Sequence, residues 1–512
     1  MTSPNEKLAT SLNVLQELQV DGRRVFRSEE FTRVHRERLL QNGFLQEVMK
    51  GWVISSSPEV REGDSTPWYT SFWEFCQQYC ISRFGNDWYL APEQSLLLHA
   101  ENSVVPNQLI ICSPHGTNNV IELLFGTSLF DLKQTEMPTE DDLKEHFGIR
   151  VLSPTAAITR IPEVFYTRYP VEAHTVLSSI PDVSDVLRRL LDGGHSVIAG
   201  RLAGAFRHIG RGQFADEILS AMKTAMYDVR EKNPFVSGQF TVPERIPVSP
   251  ITIRLEALWA SMRDEVINSS PMPPGLPDDR ESYLQHIESS YVTDAYHSLS
   301  IEGYHVTPEL IERVRSGAWD PDKHDIDRRN RDALAARGYW QAFQLVKEAV
   351  ERILRSENPG LTARSAHQDW YRELFQPCIA AGLIPPGELA GYRNTPIFLR
   401  LSRHVPPRSE SVSEAMSTVF DLLELESESV VRAVLGHWLI GYIHPYADGN
   451  GRIARFLMNA MLASGGYPWT VIRVEDRSEY LSCLETASVE NDIRPFVSFI
   501  AERLRWTVDS SS

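Results

Sequence analysis

The chain of 512 residues is long enough to hold two or three domains. Its net charge of −17 argues against a protein that coats nucleic acid or an anionic membrane with its whole surface, although one basic patch remains compatible with it. No apolar run approaches the length of a membrane span, and the polar start MTSPNEKLATS is unlike a signal peptide, so a cytoplasmic location is expected. The five cysteines are scattered and odd in number, which is typical of free thiols.

Residues 1–60 show a pattern of two helices followed by a hairpin. The apolar spacing from Leu12 to Leu18 predicts the first helix, Ser28 predicts the start of the second, and Gly51 predicts the hairpin turn. The stretch RERLLQNGFLQEVMKGWVI is similar to the wing region of AbiEi-type antitoxin regulators, which implies a winged-helix-like unit that contacts DNA. A structural helix–hairpin cap with solvated arginines is the alternative, and both stay open.

Residues 61–250 are predicted to form an α+β domain. The aromatic-rich stretch from Pro67 to Phe84 predicts a core helix, and short apolar runs after it predict strands. These runs are Gln108–Cys112, Val120–Phe125 and Gly148–Leu152. The stretch Ser196–Phe235 reads as helical, with a boundary expected at Gly238–Pro250, and residues 251–280, which contain NSSPMPPGLPDD, are predicted to be a linker.

Near the C-terminus, one short segment combines residue types that suit an anion. The segment from position 444 to 455 reads HPYADGNGRIAR and lies between two apolar stretches with helical spacing. Gly449, Asn450 and Gly451 supply flexible backbone at the positive end of the second helix. Arg452 and Arg455 are three residues apart, so both guanidinium groups share one helix face. The segment therefore predicts a phosphate-binding loop.

The same segment offers a metal ligand and a base. Asp448 supplies the oxygen ligand that Mg²⁺ takes alongside phosphates, and His444 has an ordinary pKa near neutrality. The whole segment resembles the active-site motif of Fic-domain proteins, H-P-F-x-D/E-G-N-G-R-x-x-R, with Tyr446 where the family usually has Phe. The resemblance covers roughly Glu281 to Arg505. It implies a mainly α Fic catalytic domain at residues 311–512, with a β-hairpin flap.

The resemblance also implies an activity, which is adenylyl transfer from ATP to a protein hydroxyl. His444 would take the proton from a Ser, Thr or Tyr hydroxyl, and Asp448 would hold Mg²⁺ or Mn²⁺. Asn450 and the amides of the flanking glycines would seat the α-phosphate, while Arg452 would hold the β-phosphate and Arg455 the γ-phosphate. Tyr480 is expected to contact the nucleoside.

Upstream, residues 281–310 are predicted to form an inhibitory helix and its motif. A helical stripe of apolar residues leads into SLSIEG, from Ser298 to Gly303. This sequence resembles the Ser/Thr-x-x-x-Glu-Gly/Asn motif of Fic proteins that inhibit themselves. A carboxylate of Glu302 paired with Arg455 would occupy the place of the terminal phosphate. The mixed-charge run 320–332 that follows predicts a solvated loop or the start of a helix.

The segment 391–407, GYRNTPIFLRLSRHVPP, resembles the family's flap, a β-hairpin that binds the target segment by adding a strand. The residues expected to bind the target are Thr395, Ile397, Phe398 and Leu399.

Three other activities remain to be weighed against AMP transfer. Fic kinases have Lys where Gly451 stands, and a phosphocholine transferase would not need Arg455. The third alternative is a DNA-binding regulator whose Fic domain modifies its own chain or senses nucleotide. The expected partners are a protein target or the chain itself, DNA through residues 1–60, and a second copy in a homodimer, but no membrane.

Overall fold

The computed structural model describes residues 3–59, 63–146, 148–236, 249–318 and 331–511. The chain divides into two compact units, of which unit 1 comprises residues 1–250 and 398–405 and unit 2 comprises residues 251–397 and 406–512. The boundary expected at Gly238–Pro250 and the mixed-charge run 320–332 fall almost entirely outside the described residues. Among the helices of the described ranges, none has the length and apolar composition that a membrane span requires.

Unit 1 begins with two helices and an antiparallel sheet of three strands. The elements are α1 (Pro4–Leu18), β1 (Val25–Arg27), α2 (Arg33–Gln41), β2 (Leu45–Met49) and β3 (Trp52–Ser55). The strand order is β1-β3-β2, so the predicted hairpin is confirmed as β2 and β3. The second helix begins later than predicted: Ser28–Glu30 form a 3₁₀ turn, and Thr32 caps α2 by accepting the His35 N–H at 3.4 Å.

The three-stranded sheet has a core on each face. One face packs with α1 and α2 through residues such as Leu15 and Leu39. The other face packs against α3 (Thr66–Phe84), the predicted aromatic helix, through Trp52 and Phe75, whose ring centroids are 5.6 Å apart. Residues 1–60 therefore share a core with the helix that follows them, although a domain boundary was expected at residue 60.

The rest of unit 1 has the predicted mixture of helices and strands. The strands are β4 (Tyr89–Leu90), β5 (Gln108–Ser113), β6 (Asn119–Glu122), β7 (Ser128–Lys133), β8 (Leu143–His146) and β9 (Ile149–Leu152). The helices are α4 (Pro92–His99), α5 (Pro154–Ile158), α6 (Val164–Arg168), α7 (Pro170–Ser179), α8 (Ser184–Gly193), α9 (Ser196–His208) and α10 (Gly212–Thr224). One sheet has the order β4-β5-β7-β6, in which β5 and β7 are parallel, and β8 pairs with β9 in a hairpin.

The regular secondary structure of unit 2 is helical in the residues that the structure describes. Its helices are α11 (Pro250–Ser269), α12 (Arg280–Ile301), α13 (Pro308–Arg315), α14 (Arg331–Leu354), α15 (Pro359–Ala380), α16 (Ser409–Leu425), α17 (Ser429–Ile443), α18 (Asn450–Ala463), α19 (Arg477–Glu490) and α20 (Arg494–Ser511). The predicted mainly α character of the C-terminal part is therefore confirmed.

The predicted linker at residues 251–280 is wrong for its first two thirds, because α11 occupies them. Leu255, Leu258 and Val266 of this helix are fully buried, and Thr252 Oγ1 lies 3.0 Å from Thr418 Oγ1 on α16. Helical apolar spacing preceded the proline-rich stretch, and burial of that stripe makes α11 part of the core. Only residues 270–279 lack regular structure.

The predicted β-hairpin flap is also wrong, since the described residues 391–407 contain no strand. Proline at positions 396, 406 and 407 cannot donate to a strand ladder, and Leu401 has a left-handed φ of 61°. Residues 398–405 belong to unit 1, where the Leu401 N–H bonds to Thr66 and the Arg403 carbonyl accepts the Val105 N–H. The backbone of the segment is therefore committed to other partners.

Candidate active site

The loop HPYADGNGRIAR joins the two most deeply buried helices of unit 2. In α17, Val431, Leu435 and Trp438 are fully buried, and the helix ends at Ile443. His444 follows it in the left-handed conformation, with φ 52° and ψ 61°. Such a conformation costs a non-glycine residue about 1–2 kcal/mol, so surrounding contacts must hold His444 there.

Asn450 closes the loop on itself. Its Oδ1 accepts the Tyr446 N–H at 2.9 Å, and its Nδ2 donates to the Tyr446 carbonyl at 2.8 Å. Gly449 precedes it with φ 84°, and a Cβ there would press against the Phe375 ring at 2.9 Å, so this position needs glycine. The Asn450 side chain thus shapes the loop, although it was predicted to seat a phosphate. The backbone N–H groups at the start of α18 still suit an anion.

Tyr446, the residue that departs from the motif, lies in the core beneath the loop. Its ring is fully buried and stacks on Tyr371 with centroids 4.0 Å apart. Its hydroxyl forms no hydrogen bond with the described residues, and burial raises its pKa. Tyrosine therefore packs where phenylalanine would, but its hydroxyl has not found a partner.

Arg455 is held by the end of α12. Its side chain is 3% exposed; Nε donates to Ser298 Oγ at 2.8 Å, and Nη2 lies 2.7 Å from Glu302 Oε1. Nη2 also donates to the Ser298 carbonyl at 3.1 Å, whereas Nη1 has no hydrogen-bond partner in the part of the chain that the structure describes. The structure thus brings together residues that are more than 150 positions apart in sequence, as their hydrogen bonds show.

The Glu302 carboxylate is ionised in this setting. Burial raises its pKa, but the charges of Arg455 and Arg452 outweigh burial and hold the pKa below its ordinary value. The carboxylate lies directly over Gly451, because a Cβ at that position would overlap Glu302 Oε1. Glu302 therefore covers the start of α18, where an anion would bind.

Arg452 lies between two aromatic rings. It is 1% exposed, and its guanidinium lies 4.9 Å from the Phe375 ring centroid and 5.4 Å from that of Tyr304. Its Nη2 lies 3.4 Å from Asp448 Oδ2, but Nε and Nη2 form no hydrogen bond within the described ranges. A buried guanidinium with unbonded nitrogens has capacity for an anionic ligand.

His444 is neutral at physiological pH. Burial lowers its pKa to about 4, and the charge of Arg393 acts in the same direction. Its Nδ1 lies 3.4 Å from the Gly441 carbonyl. A neutral imidazole in a polar loop is able to accept a proton.

Asp448 is the acidic residue of the loop that faces solvent. Its side chain is 56% exposed, and its Oδ1 accepts the Gly449 N–H at 2.6 Å. Within the described ranges, no group of three or more His, Cys, Asp or Glu residues is arranged to hold a metal ion. Mg²⁺ is often held by one or two carboxylates together with the phosphates of a substrate. The single carboxylate of Asp448 suits this kind of binding, and it does not suit a site made of protein ligands alone.

Residues 362–462 match the family model described as the Fic/DOC family. This part of the chain is therefore similar to the Fic/DOC family. It contains α17, the loop and most of α18, whereas Glu302 and Ser298 lie upstream of the matched residues.

The chain also resembles curated proteins named "Protein adenylyltransferase Fic". One from Nematostella vectensis is 33% identical over 236 residues, which is 45% of this chain and 49% of that protein. One from Culex quinquefasciatus is 29% identical over 252 residues, 48% of this chain and 45% of that protein. The chain thus spans about half the length of the curated relatives it matches.

Solved structures give a weaker likeness. A Fic-1 fragment from C. elegans superposes with a TM-score of 0.37 at 16% identity, covering 67% of this chain and 91% of that chain. A Fic-domain signaling protein from Bacteroides thetaiotaomicron gives a TM-score of 0.35 at 20% identity, covering 51% and 94%.

The residues predicted to bind the target in the flap are divided between the two units, with Thr395 and Ile397 in unit 2 and Phe398 and Leu399 in unit 1. Thr395 is exposed, while Ile397 and Leu399 are partly buried. Phe398 belongs to unit 1, where the Arg24 guanidinium lies 4.7 Å from its ring centroid. Gly303 is exposed with φ 87° and turns the chain at the end of α12.

Tyr480 is buried beside the loop arginine Arg455, and its contact with the nucleoside stays a prediction. It is 2% exposed, and its hydroxyl lies 2.7 Å from Nε2 of the buried His437. The ring also packs against Phe496 and Phe499. Tyr480 is therefore a buried residue of the helical unit that also interacts with Arg455.

Replacing Tyr480 by Phe tests this assignment. The change leaves a buried nitrogen of His437 without its partner, which costs about 1–3 kcal/mol of the free energy of unfolding. We expect denaturant unfolding to show this loss, while calorimetry gives an unchanged Kd for ATP in the folded protein. Tyr227→Phe, at a half-exposed position of unit 1, is the control. If Tyr480→Phe left the stability unchanged and bound ATP more weakly, the result would support a contact between Tyr480 and the nucleoside.

Sequence reasoning missed three residues of the site. Phe375 and Tyr304 flank Arg452, and Arg393 donates its Nε to the His444 carbonyl at 2.8 Å. The position of Tyr304 directly after the SLSIEG motif was a usable signal for a contact near the loop. The contact of Arg393 with His444 joins two segments that are distant in sequence, so no local sequence pattern predicts it.

Proposed function

We propose that the protein transfers AMP from ATP to the hydroxyl of a protein Ser, Thr or Tyr residue. The observation that carries this proposal is a pair of buried guanidinium groups, Arg452 and Arg455, in the same loop as a neutral His444. Each has a nitrogen that forms no hydrogen bond with the described residues. The curated relatives support the type of reaction, since they are named protein adenylyltransferases. The test is transfer of label from α-labelled ATP to protein by the full chain carrying Glu302→Gly.

The reaction requires one proton acceptor and an in-line attack. The target hydroxyl oxygen forms a bond to the α-phosphorus, the bond from that phosphorus to the β-phosphate oxygen breaks, and pyrophosphate leaves. His444 takes the hydroxyl proton. Because its Nδ1 faces the Gly441 carbonyl, Nε2 is the nitrogen that accepts the proton.

The remaining residues of the loop place the phosphates. The N–H groups at the start of α18 bind the α-phosphate, Arg452 the β-phosphate, and Arg455 the γ-phosphate. Mg²⁺ or Mn²⁺, held by Asp448, would neutralise phosphate charge when bound. Positioning and charge neutralisation together account for most of the catalysis in such a site.

Glu302 restrains this activity in the proposal. Its carboxylate lies over Gly451 and pairs with Arg455 at 2.7 Å, so it competes with the γ-phosphate for the same guanidinium. ATP that binds beside this pair would have its phosphates displaced from the geometry of attack. Ser298 adds to the restraint, because its hydroxyl and carbonyl both accept from Arg455.

The alternatives to AMP transfer have less support. A kinase of this family would have Lys in place of Gly451, and here the absence of a side chain at Gly451 makes room for Glu302. A phosphocholine transferase would not need Arg455 for a terminal phosphate, so it would not explain why Glu302 pairs with this arginine. Labelling with α- and γ-labelled ATP separates these reactions, because a kinase transfers only the γ-label.

The contacts of residues 1–60 support a DNA-binding regulator less than they support a structural role for these residues. Arg33 Nε pairs with Glu37 at 2.7 Å, Arg36 donates to the Ser28 carbonyl, and Arg38 donates to the Lys7 carbonyl. These guanidinium groups already have partners within unit 1. The contacts favour the structural helix–hairpin cap over a surface that grips phosphates.

Tyr304 gives a further prediction about the restrained state. Its ring covers the Arg452 guanidinium, and a cation–π contact of about 0.5–1 kcal/mol must be broken before Arg452 turns to a phosphate. In a Glu302→Gly background, we expect Tyr304→Ala to lower the KM for ATP about 2- to 5-fold. Tyr304→Phe keeps the ring and should leave KM unchanged. A rise in KM with Tyr304→Ala would show that the ring orients Arg452 for ATP instead.

A further inference from the structure

We propose that Arg393 is a positioning residue for His444, whose guanidinium fixes the left-handed end of α17 and so aims the imidazole. The inference rests on the proposed function only in taking His444 as the proton acceptor. It assigns a role to a residue outside the motif, in the segment that follows α15.

The contacts of Arg393 converge on the residues around His444. Its Nε donates to the His444 carbonyl at 2.8 Å, and its Nη2 lies 3.3 Å from the Ile443 carbonyl. Its backbone N–H donates to the Pro445 carbonyl at 2.8 Å. One residue thus bonds to three consecutive carbonyl groups, at the point where the helix turns into the loop.

The Arg393 guanidinium also binds two carbonyl groups in its own region of the chain. Nη1 donates to the Thr395 carbonyl at 3.0 Å, and Nη2 donates to the Pro407 carbonyl at 2.5 Å. The residues on either side of segment 396–406 are therefore tied to the guanidinium that holds His444. A rigid clamp, rather than a single flexible contact, supports the loop.

Electrostatics explain why an arginine is tolerated at this buried position. The last carbonyl groups of a helix lack partners within the helix and carry the negative end of its dipole. Arg393 satisfies the carbonyl of Ile443, the last residue of α17, and places its charge at that end. Burial lowers the pKa of Arg393 to about 10, so the group stays charged at neutral pH.

The clamp accounts for the unusual backbone of His444. A left-handed histidine is strained by about 1–2 kcal/mol and persists only where other contacts hold it. The contacts that hold it are the His444 N–H to the Ile440 carbonyl at 2.9 Å and the Arg393 bond to its carbonyl. Without Arg393, the residue loses the bond that orients its carbonyl, and the imidazole is free to leave its position.

Arg393 also contributes to the charge state of His444. The groups that face the imidazole are the Gly441 carbonyl, Arg393, Glu302 and Asp448. Arg393 lowers the pKa of His444, whereas the other three raise it. Removing the Arg393 charge therefore raises the pKa of His444, which a purely structural residue would not do.

The experiment compares three variants of the full chain. Arg393→Gln removes the charge and the clamp, and Arg393→Lys keeps the charge but loses the forked geometry. The matched control is Arg432→Gln at the opposite end of α17, where Nη2 of the buried arginine donates to Ser464 at 2.8 Å. Both positions brace the same helix, but only one contacts His444.

Two measurements separate positioning from folding. The first is the pKa of His444 from NMR of labelled histidine, with the resonance assigned by its loss in His444→Ala. We expect a rise of about one pH unit in Arg393→Gln and little change in Arg432→Gln. The second is label transfer in the Glu302→Gly background, where Arg393→Lys should lower kcat about 10-fold or more and leave the KM for ATP unchanged.

The outcomes are distinct. If His444 titrates at the same pH in Arg393→Gln and Arg432→Gln, the proposed positioning role is overturned. An equal fall of kcat in Arg393→Lys and Arg432→Gln would also overturn it. The NMR measurement does not depend on transferase activity. A failure of AMP transfer alone would therefore count against the proposed function, and the titration of His444 would still decide the role of Arg393.

Discussion

Glu302→Gly should raise the transfer of AMP to protein by about 10- to 100-fold, because hydrogen bonds to charged groups contribute about 1.5–3 kcal/mol. The change removes the carboxylate that pairs with Arg455 at 2.7 Å and frees the space over Gly451. Arg455 then keeps its bonds to Ser298 and presents Nη1 and Nη2 to the γ-phosphate. The measurement is the initial rate of label transfer from α-labelled ATP to a cell lysate and to the protein itself.

Two matched variants make this result specific. Glu302→Gln keeps the shape of the side chain but not its charge, so it should give an intermediate rate. Glu281 is exposed in the first turn of α12, the helix that Glu302 follows directly. Glu281→Gln should leave the rate at that of the unmodified chain. If Glu302→Gly and Glu281→Gln transfer equally, Glu302 does not restrain the site.

His444→Ala in the Glu302→Gly background should lower transfer by about 10²- to 10⁴-fold, the usual contribution of a positioned general base. Burial lowers the pKa of His444 to about 4, so the imidazole is neutral and able to accept a proton above that pH. In Glu302→Gly, kcat should be nearly constant around neutrality and fall as the pH falls through about 4, where His444 becomes protonated. The measurement is the pH profile of kcat with and without His444.

The control for this prediction is His286→Ala, an exposed histidine on α12. It should leave both the rate and the pH profile unchanged. Binding of ATP should also survive in His444→Ala, because the phosphate contacts lie on α18 and its preceding loop. Transfer that persists in His444→Ala would remove His444 as the proton acceptor, even if Glu302→Gly is active.

Much of the candidate site was predictable because its residues are contiguous in sequence. Gly449, Arg452 and Arg455 follow from backbone freedom and helical spacing within one loop. Glu302 is distant from them, and only the resemblance of SLSIEG to an inhibitory motif brought it into the site. The structure then supplied the distances that local spacing does not contain.

Side-chain direction was the part that sequence could not supply. Asn450 is in the motif, yet its amide bonds both backbone groups of Tyr446, since the loop has to satisfy its own polar groups before it binds a ligand. Tyr480 has helical neighbours that are equally compatible with surface or core, and its bond to His437 placed it in the core. The contact of Arg393 with His444 had no local signal, because the two residues are 51 positions apart.

The fold shows the same division. Apolar periodicity predicted α3 and the β2–β3 hairpin, whose determinants are local. The parallel pairing of β5 with β7 depends on contacts between distant residues, and no turn signal marks it. The α11 helix was hidden by the proline-rich stretch after it, while the predicted flap hairpin failed because prolines and outside partners take up its backbone.

The central claim is AMP transfer, and double labelling of the Glu302→Gly protein tests it most directly. The full chain is incubated with Mg²⁺ or Mn²⁺ and a lysate, once with α-labelled ATP and once with γ-labelled ATP. The control is the same lysate with protein that carries both Glu302→Gly and His444→Ala, which corrects for the kinases of the lysate. Relative to this control, we expect added α-label in protein and no added γ-label. Added γ-label relative to that control, or no added label of either kind, would contradict AMP transfer.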